Sequence, residues 1–178
     1  NILVLGGSQG AKFFDQFVEN LILNISKKFK ITVYQQVNNS NILDKLKKKY
    51  LDNNIQSNIF TFDNDILNSM SKCNIAITRC GASTIAELVY LNIPFIGIPF
   101  PFAKDNHQFY NAKFYEEKDC CWLYNQKDIS LDKMLDLFNS IIENPKIYSK
   151  KYENLSKISY EYDWNNVNKK LIDLLNEN

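Results

Sequence analysis

The chain reads as an α/β protein: a doubly wound, mostly parallel six-stranded sheet with helices on both faces. Three observations lead there. Short β-rich runs alternate with longer segments of helical periodicity, the pattern of successive βα units that close a parallel sheet. Two turns of small residues, Gly6-Gly7-Ser8-Gln9-Gly10-Ala11 and Gly81-Ala82-Ser83-Thr84, each follow an apolar run and open a helix, which is where such sheets bind ligands. No internal repeat, Gly/Ser linker or low-complexity block interrupts the alternation across 178 residues, so a single domain over 1–178 is expected.

The elements follow in order. Ile2-Leu3-Val4-Leu5 forms the first strand, and a helix over 11–26 places Leu21, Ile22 and Ile25 on one face. A strand over 31–35 leads to a helix over 41–50 whose lysines at 45, 47, 48 and 49 make a solvated face. Strands at 58–61, 74–77, 94–98 and 120–123 alternate with helices at 64–71, 83–91 and 106–117, and Asp105 or Asn106 is the expected N-cap of the last of these. A helix over 130–142 carries Leu131, Met134, Leu135 and Phe138 on one face, and two more helices are expected around 146–157 and 162–176. The apolar stripe Trp164, Val167, Leu171, Ile172 and Leu175 near the end either docks locally or lets a terminal helix over 160–178 reach another domain. The chain begins at Asn1 directly on a strand, without Met, so a fragment of a longer polypeptide is expected.

Composition excludes several classes. Lysines and arginines number 21 against 20 acidic residues, which gives no electrostatic footprint for nucleic acid, and no nucleic-acid partner is expected. Nothing approaches 18 consecutive apolar residues, so no membrane span is expected. The four cysteines, at 73, 80, 120 and 121, lack paired spacing, and there is one histidine, so neither a metal site nor a disulfide framework is expected. A reducing, cytoplasmic compartment fits them. Cys120 and Cys121 are expected on opposite faces of a strand. No Ser/His/Asp triad or paired-carboxylate site can be drawn, and no catalytic residue is assigned.

The segment Thr78 to Glu87 is the richest in chemistry. Free N–H groups at a helix start, with Gly81 and Ala82 allowing close approach and Ser83 or Thr84 adding a hydroxyl, suit a phosphate. Glu87 lies roughly 5 to 6 Å further along the helix at 1.5 Å per residue, about the span from a nucleotide's first phosphorus to its ribose hydroxyls, whose protons a carboxylate accepts. The plain alternative is an ordinary capped helix with a solvated Glu. The Gly6–Ala11 loop fails the GxGxxG dinucleotide pattern, and the next strand ends Tyr34-Gln35-Gln36 without an acidic residue, which disfavours a nicotinamide cofactor. The only arginine, Arg79, is expected to organise its loop through backbone carbonyls rather than bind ligand. His107 is either structural or, with Gln108, a partner for sugar hydroxyls.

Three ordered motifs, Gly6-Gly7-Ser8-Gln9-Gly10-Ala11, Arg79 to Glu87, and Asp105-Asn106-His107-Gln108 with Asn111-Ala112, together resemble the donor-binding domain of the MurG family of GT-B glycosyltransferases over roughly residues 1–125. The resemblance implies the Rossmann-like half of a GT-B fold, with the acceptor site, the catalytic base and the membrane-facing patch expected in an amino-terminal domain that this chain lacks. It implies UDP-GlcNAc as donor substrate with no cofactor or metal, and lipid I as acceptor, bound through the other domain. The expected activity of the whole enzyme is conversion of lipid I to lipid II in peptidoglycan synthesis, peripherally on the inner face of the bacterial membrane. Residue by residue, Gly7, Ser8 and Gln9 approach the diphosphate and sugar, and Ala82, Ser83 and Thr84 hold the α-phosphate. Glu87 takes the ribose hydroxyls, Phe62 and Asp63 meet uracil through their backbone, and His107 and Gln108 face the GlcNAc. Family members more often carry an apolar residue where Asp63 stands, a departure that bears on uracil specificity. Other expectations left open are another nucleotide-sugar enzyme of the same fold, such as a hydrolase or a different lipid glycosyltransferase, and a stand-alone nucleotide-sugar-binding subunit.

Overall fold

Side-chain alternation along buried strands fixes the architecture. The structure, a computed structural model, describes residues 1–7 and 11–176. Its elements are β1 (Ile2–Leu5), α1 (Ala11–Ser26), β2 (Thr32–Gln36), α2 (Ser40–Asp52), β3 (Gln56–Phe60), α3 (Ile66–Ser71) and β4 (Ile75–Thr78). They continue with α4 (Ala82–Tyr90), β5 (Phe95–Gly97), a 3₁₀ turn at Lys104–Asn106, α5 (His107–Glu117), β6 (Cys121–Leu123), α6 (Leu131–Glu143), α7 (Pro145–Glu161) and α8 (Trp164–Asn176). The six strands lie in the order β3-β2-β1-β4-β5-β6, and every pairing is parallel. Central β1 pairs Leu5 with Gln36 of β2 on one side and with Thr78 of β4 on the other.

Because successive strand residues point to opposite faces, two cores form. Ile2, Val4, Val33, Ile59, Ile77 and Ile96 pack with Phe14, Val18, Leu21, Ile22 and Ile25 of α1, Tyr50 of α2, and Met134 and Phe138 of α6. Leu3, Leu5, Ala76 and Phe95 pack with Met70 of α3, Ile85 and Leu88 of α4, Ala112 of α5, and Leu155 and Ile158 of α7. Each large apolar side chain so buried contributes about 1.5–3 kcal/mol, which makes the amphipathic helix faces, not helix propensity, the source of the layers.

Helix ends are set by Asn and Asp where glycine is scarce. After α2, α4 and α5 the chain turns through Asn54, Asn92 and Asp119, all left-handed. The next residue then donates back to the last helical turn: Ile55 N–H to Tyr50, Ile93 N–H to Leu88 and Cys120 N–H to Tyr115. These are Schellman closures, and their final residues Ile55, Ile93 and Cys120 are buried. Cys120 therefore belongs to the turn before β6 and shares one core with Cys121, against the expectation of opposite faces. All four cysteines are free and buried.

At the carboxyl end, α8 leaves Trp164 74% and Ile172 57% exposed, while the side chains of Leu171 and Leu175 lie outside the described residues. Among the described residues, no helix is long and apolar enough to cross a membrane.

Two positions make the packing testable. Gly97 ends β5 where a Cβ would lie 2.9 Å from Cys80 Sγ and 3.4 Å from the Ala112 methyl. Gly97→Ala should therefore lower stability by about 1–3 kcal/mol through overpacking, and an unchanged urea midpoint would contradict this. Half-buried Asp15 on α1 has an unpaired buried Oδ2; burial first, and Glu19 second, push its carboxyl up to about 6. The folded chain then binds more protons than the unfolded chain between roughly pH 4 and 6, so this group's contribution falls as pH rises through that window. Asp15→Asn should raise stability at pH 7.5 by about 1 kcal/mol, a value reduced for solvent screening, and change it little at pH 4. Thermal melts showing destabilisation at pH 7.5 would count against it.

Candidate functional site

A sheet wound in both directions from its centre opens a crevice where neighbouring connections part, beyond the carboxyl ends of the strands. Here that point is between β1 and β4. A cleft of about 360 Å³ occupies it, walled by Leu5 at the end of β1, Gly7 just after it, Gln36 at the end of β2, and Phe60, Phe62, Asp63 and Ile66 around the β3–α3 turn. Arg79, Gly81, Ser83, Thr84 and Glu87 from the β4–α4 segment and Gln108 from α5 complete it. Gly7 has φ +68°, a left-handed conformation that glycine adopts without the cost a Cβ would bring.

The start of α4 is chemically open. Asn39 accepts from Ile42 N–H at 3.0 Å to cap α2, and Ser130 accepts from Lys133 N–H at 3.3 Å to cap α6. Gly81, the residue before α4, is extended at φ −66° and ψ 143°, and among the described residues no side-chain capping bond is made there. Its first N–H groups therefore stand ready for an acceptor, and the helix dipole favours an anion there. Ser83, Thr84 and, one turn later, Glu87 share the same wall.

That helix start is aimed by α5. Gln108 Oε1 accepts the N–H groups of Cys80 at 3.2 Å and Phe100 at 3.0 Å. Two N–H donors on one atom fix it as the amide oxygen, so Nε2 is the donor left to Gln108, a cleft-lining residue. One turn on, Asn111 Nδ2 donates to Cys80 C=O at 3.1 Å.

Arg79 joins the loops that follow β5 and β6. It is 4% exposed; its guanidinium donates to Ile98 C=O at 3.0 Å, Pro99 C=O at 3.1 Å and Gln126 Oε1 at 2.7 Å. It also lies over the rings of Phe14, at 5.1 Å, and Phe100, at 5.7 Å. Burial lowers its pKa to about 10, so the cation persists at neutral pH. Its bonds to carbonyls suit an organiser, and it also forms part of the cleft wall.

Asp63 is held by its own turn. Oδ1 accepts Asp65 N–H at 2.9 Å and Oδ2 accepts the Ser69 hydroxyl at 2.5 Å. These bonds, Ser69 first, hold the carboxyl below its ordinary range. The Asp63-Asn64-Asp65 stretch has an Asp-x-Asp spacing, and in Asp63 both oxygens serve the start of α3. Among the described residues no cluster of three or more His, Cys, Asp or Glu is placed to hold a metal ion.

Of the residues singled out from sequence, Gly7, Phe62, Asp63, Ser83, Thr84, Glu87 and Gln108 are brought to one cleft. Ala82 begins α4, with its side chain exposed beside Tyr110 and Phe114 in a neighbouring hollow. Ser8 and Gln9 lie outside the described residues. His107 is exposed and is not among the residues walling the cleft. Its Nδ1 lies 2.8 Å from Lys104 C=O, an acceptor that requires Nδ1 to carry the proton. The expected side-chain cap of α5 is not formed: Asp105 and Asn106 are both left-handed, at φ 51° and 53°, and Asn106 makes no capping bond. Gln36 and Ile66, which also wall the cleft, are not among the residues singled out from sequence. Gln36 carries a usable signal, since it closes a strand adjacent to the central one.

Comparison with known proteins places this cleft in a family. Residues 1–164 match the model of the glycosyltransferase family 28 C-terminal domain. The UDP-N-acetylglucosamine--N-acetylmuramyl-(pentapeptide) pyrophosphoryl-undecaprenol N-acetylglucosamine transferase of Pelagibacter ubique is 47% identical over 178 residues, all of this chain and 50% of the relative. The chain thus spans about half the length of that curated relative. The crystal structure of Acinetobacter baumannii MurG shares the fold at a TM-score of 0.76 and 23% identity, over 88% of this chain and 45% of that one. A Neisseria meningitidis UDP-GlcNAc 2-epimerase bound to UDP-GlcNAc shares it at 0.64 and 16%, over 100% of this chain and 44% of that one. An all-parallel sheet with its cleft at the central crossover, matched by the family model along nearly its whole length, shows that the chain belongs to the glycosyltransferase family 28 C-terminal domains.

Proposed function

We propose that this chain is the UDP-GlcNAc-binding half of an inverting glycosyltransferase that transfers GlcNAc to undecaprenyl-pyrophosphoryl-MurNAc-pentapeptide, converting lipid I to lipid II. The observation that carries this reading is the uncapped start of α4 in the cleft wall, with Ser83 and Thr84 beside it and Glu87 one turn further on. The 47% identity to the Pelagibacter transferase supports the choice of donor and acceptor.

In this reading the α-phosphate meets the N–H groups at the start of α4, with Ala82, Ser83 and Thr84 around it. Glu87 accepts from the ribose hydroxyls, and the Phe62–Asp63 backbone meets the uracil. Gly7 and the following Ser8 and Gln9 approach the diphosphate and sugar. Gln108 offers its amide N–H₂ to the GlcNAc, and His107 stands next to it at the α5 start. An acceptor hydroxyl, deprotonated by a base from the remainder of the enzyme, attacks C1. The new C1–O bond forms as the bond from C1 to the β-phosphate oxygen breaks, UDP departs with that electron pair, and the anomeric centre inverts. Oriented N–H dipoles and hydroxyls stabilise the charge developing on the leaving diphosphate. The acceptor lipid and the inner membrane surface are met through the other half of the enzyme.

Calorimetric titration with UDP-GlcNAc, UDP and ADP, each without and with Mg²⁺, should show selective uridine nucleotide binding that does not require the metal. Equal affinity for ADP, or binding only with Mg²⁺, would contradict the reading. Glu87→Ala should weaken UDP binding by about 1.5–3 kcal/mol, the range for hydrogen bonds to a charged group, and a loss below about 0.5 kcal/mol would remove Glu87 from the ribose. His107→Ala should weaken UDP-GlcNAc more than UDP, whereas equal losses would place it away from the sugar.

A further inference from the structure

The turn from β3 into α3 carries a carboxylate at the point where the nucleotide reading above puts the base. Such a group accepts hydrogen bonds and donates none. Facing the C4 substituent of a pyrimidine, it would favour the amino group of cytosine and repel the O4 acceptor of uracil. Phe62 beside it is 74% exposed and shares the cleft wall, so Asp63 stands in a position to meet whatever the cleft holds.

The structure turns that carboxylate back into the protein. Asp63 Oδ2 accepts the Ser69 hydroxyl at 2.5 Å, six residues on and across the first turn of α3, while Oδ1 accepts Asp65 N–H at 2.9 Å. Ser69 is itself 7% exposed, so its hydroxyl has few alternatives in solvent. Asp63 is ionised at neutral pH as any ordinary carboxylate is, and the two bonds lower its pKa further, Ser69 first and the Asp65 N–H second. A full negative charge is thus fixed on the helix side of the turn, where it also favours the α3 N-terminus.

We propose that Ser69 is a specificity-determining positioning residue: by holding the Asp63 carboxylate against α3, it keeps an acceptor-only group out of the base subsite and favours a uracil over a cytosine nucleotide. This rests on the uridine nucleotide reading. The base is then met by the main chain of Phe62 and Asp63, which offers both donor and acceptor, instead of by the charged side chain.

The test compares UDP, CDP and ADP affinities by calorimetry in the unaltered chain, Ser69→Ala, Ser69→Thr, Asp63→Ile and the Asp63→Ile/Ser69→Ala pair. Ser69→Ala should shrink the UDP-to-CDP affinity ratio on the order of fivefold, the equivalent of about one hydrogen bond. Ser69→Thr, which keeps the hydroxyl, should retain the ratio. In the Asp63→Ile background the Ser69 change should leave the ratio unmoved, because the charge to be restrained is gone. An unchanged ratio in Ser69→Ala, or equal losses of UDP and CDP as a purely structural role would give, overturns the proposal while the uridine reading stands. An unaltered chain that binds UDP no better than ADP overturns the uridine reading and this inference with it.

Discussion

The backbone of Cys80 is held at both of its polar groups by one helix, its N–H donating to Gln108 and its C=O accepting from Asn111. The placement of the cleft wall depends on that grip, because it sets the direction in which the chain leaves β4 and enters α4. Gln108 also accepts from Phe100, so one amide oxygen aligns the loops after β4 and β5. Ala112, on the same helix, packs near Gly97, which explains why small residues are needed at both positions for α5 to come so close. Removing either side-chain amide would strand backbone polar groups at a cost of about 1–3 kcal/mol each.

Arg79, one residue before Cys80, extends the same arrangement sideways. Its bonds reach carbonyls after β5 and Gln126 after β6, while its contact with Phe14 reaches α1. Three consecutive residues, Arg79, Cys80 and Gly81, thereby join the ends of several strands to the start of α4. The electrostatic consequence is coherent. A persistent guanidinium and an uncapped helix N-terminus both bring positive potential to the cleft, and Glu87 brings negative charge one turn away. A ligand with an anionic group joined to a hydroxyl-bearing group fits this division.

Much of the fold is legible in the sequence because the strands β1, β4 and β5, buried throughout, leave largely apolar runs, and the helices between the strands carry a clear period. The expected elements therefore fall within a few residues of those observed; the largest difference is α7, which continues to Glu161. What escapes the sequence is decided by tertiary position or local backbone. Gln36 becomes part of the cleft only because β2 lies beside β1 in register with Leu5. The α5 start turns through left-handed Asp105 and Asn106, so residue types that ordinarily cap a helix serve there as turn formers. Asp63 shows the same limit in its side chain: the spacing of acidic residues does not reveal that Ser69 directs the carboxylate inward.

A crystal structure of this chain with UDP-GlcNAc would show directly whether the start of α4 holds the nucleotide's phosphate. The α-phosphate should lie within hydrogen-bonding distance of the first N–H groups of α4, and both ribose hydroxyls should sit on the Glu87 carboxylate. A nucleotide seated elsewhere on the sheet, or seated in the cleft with its phosphates turned away from α4, would contradict that placement.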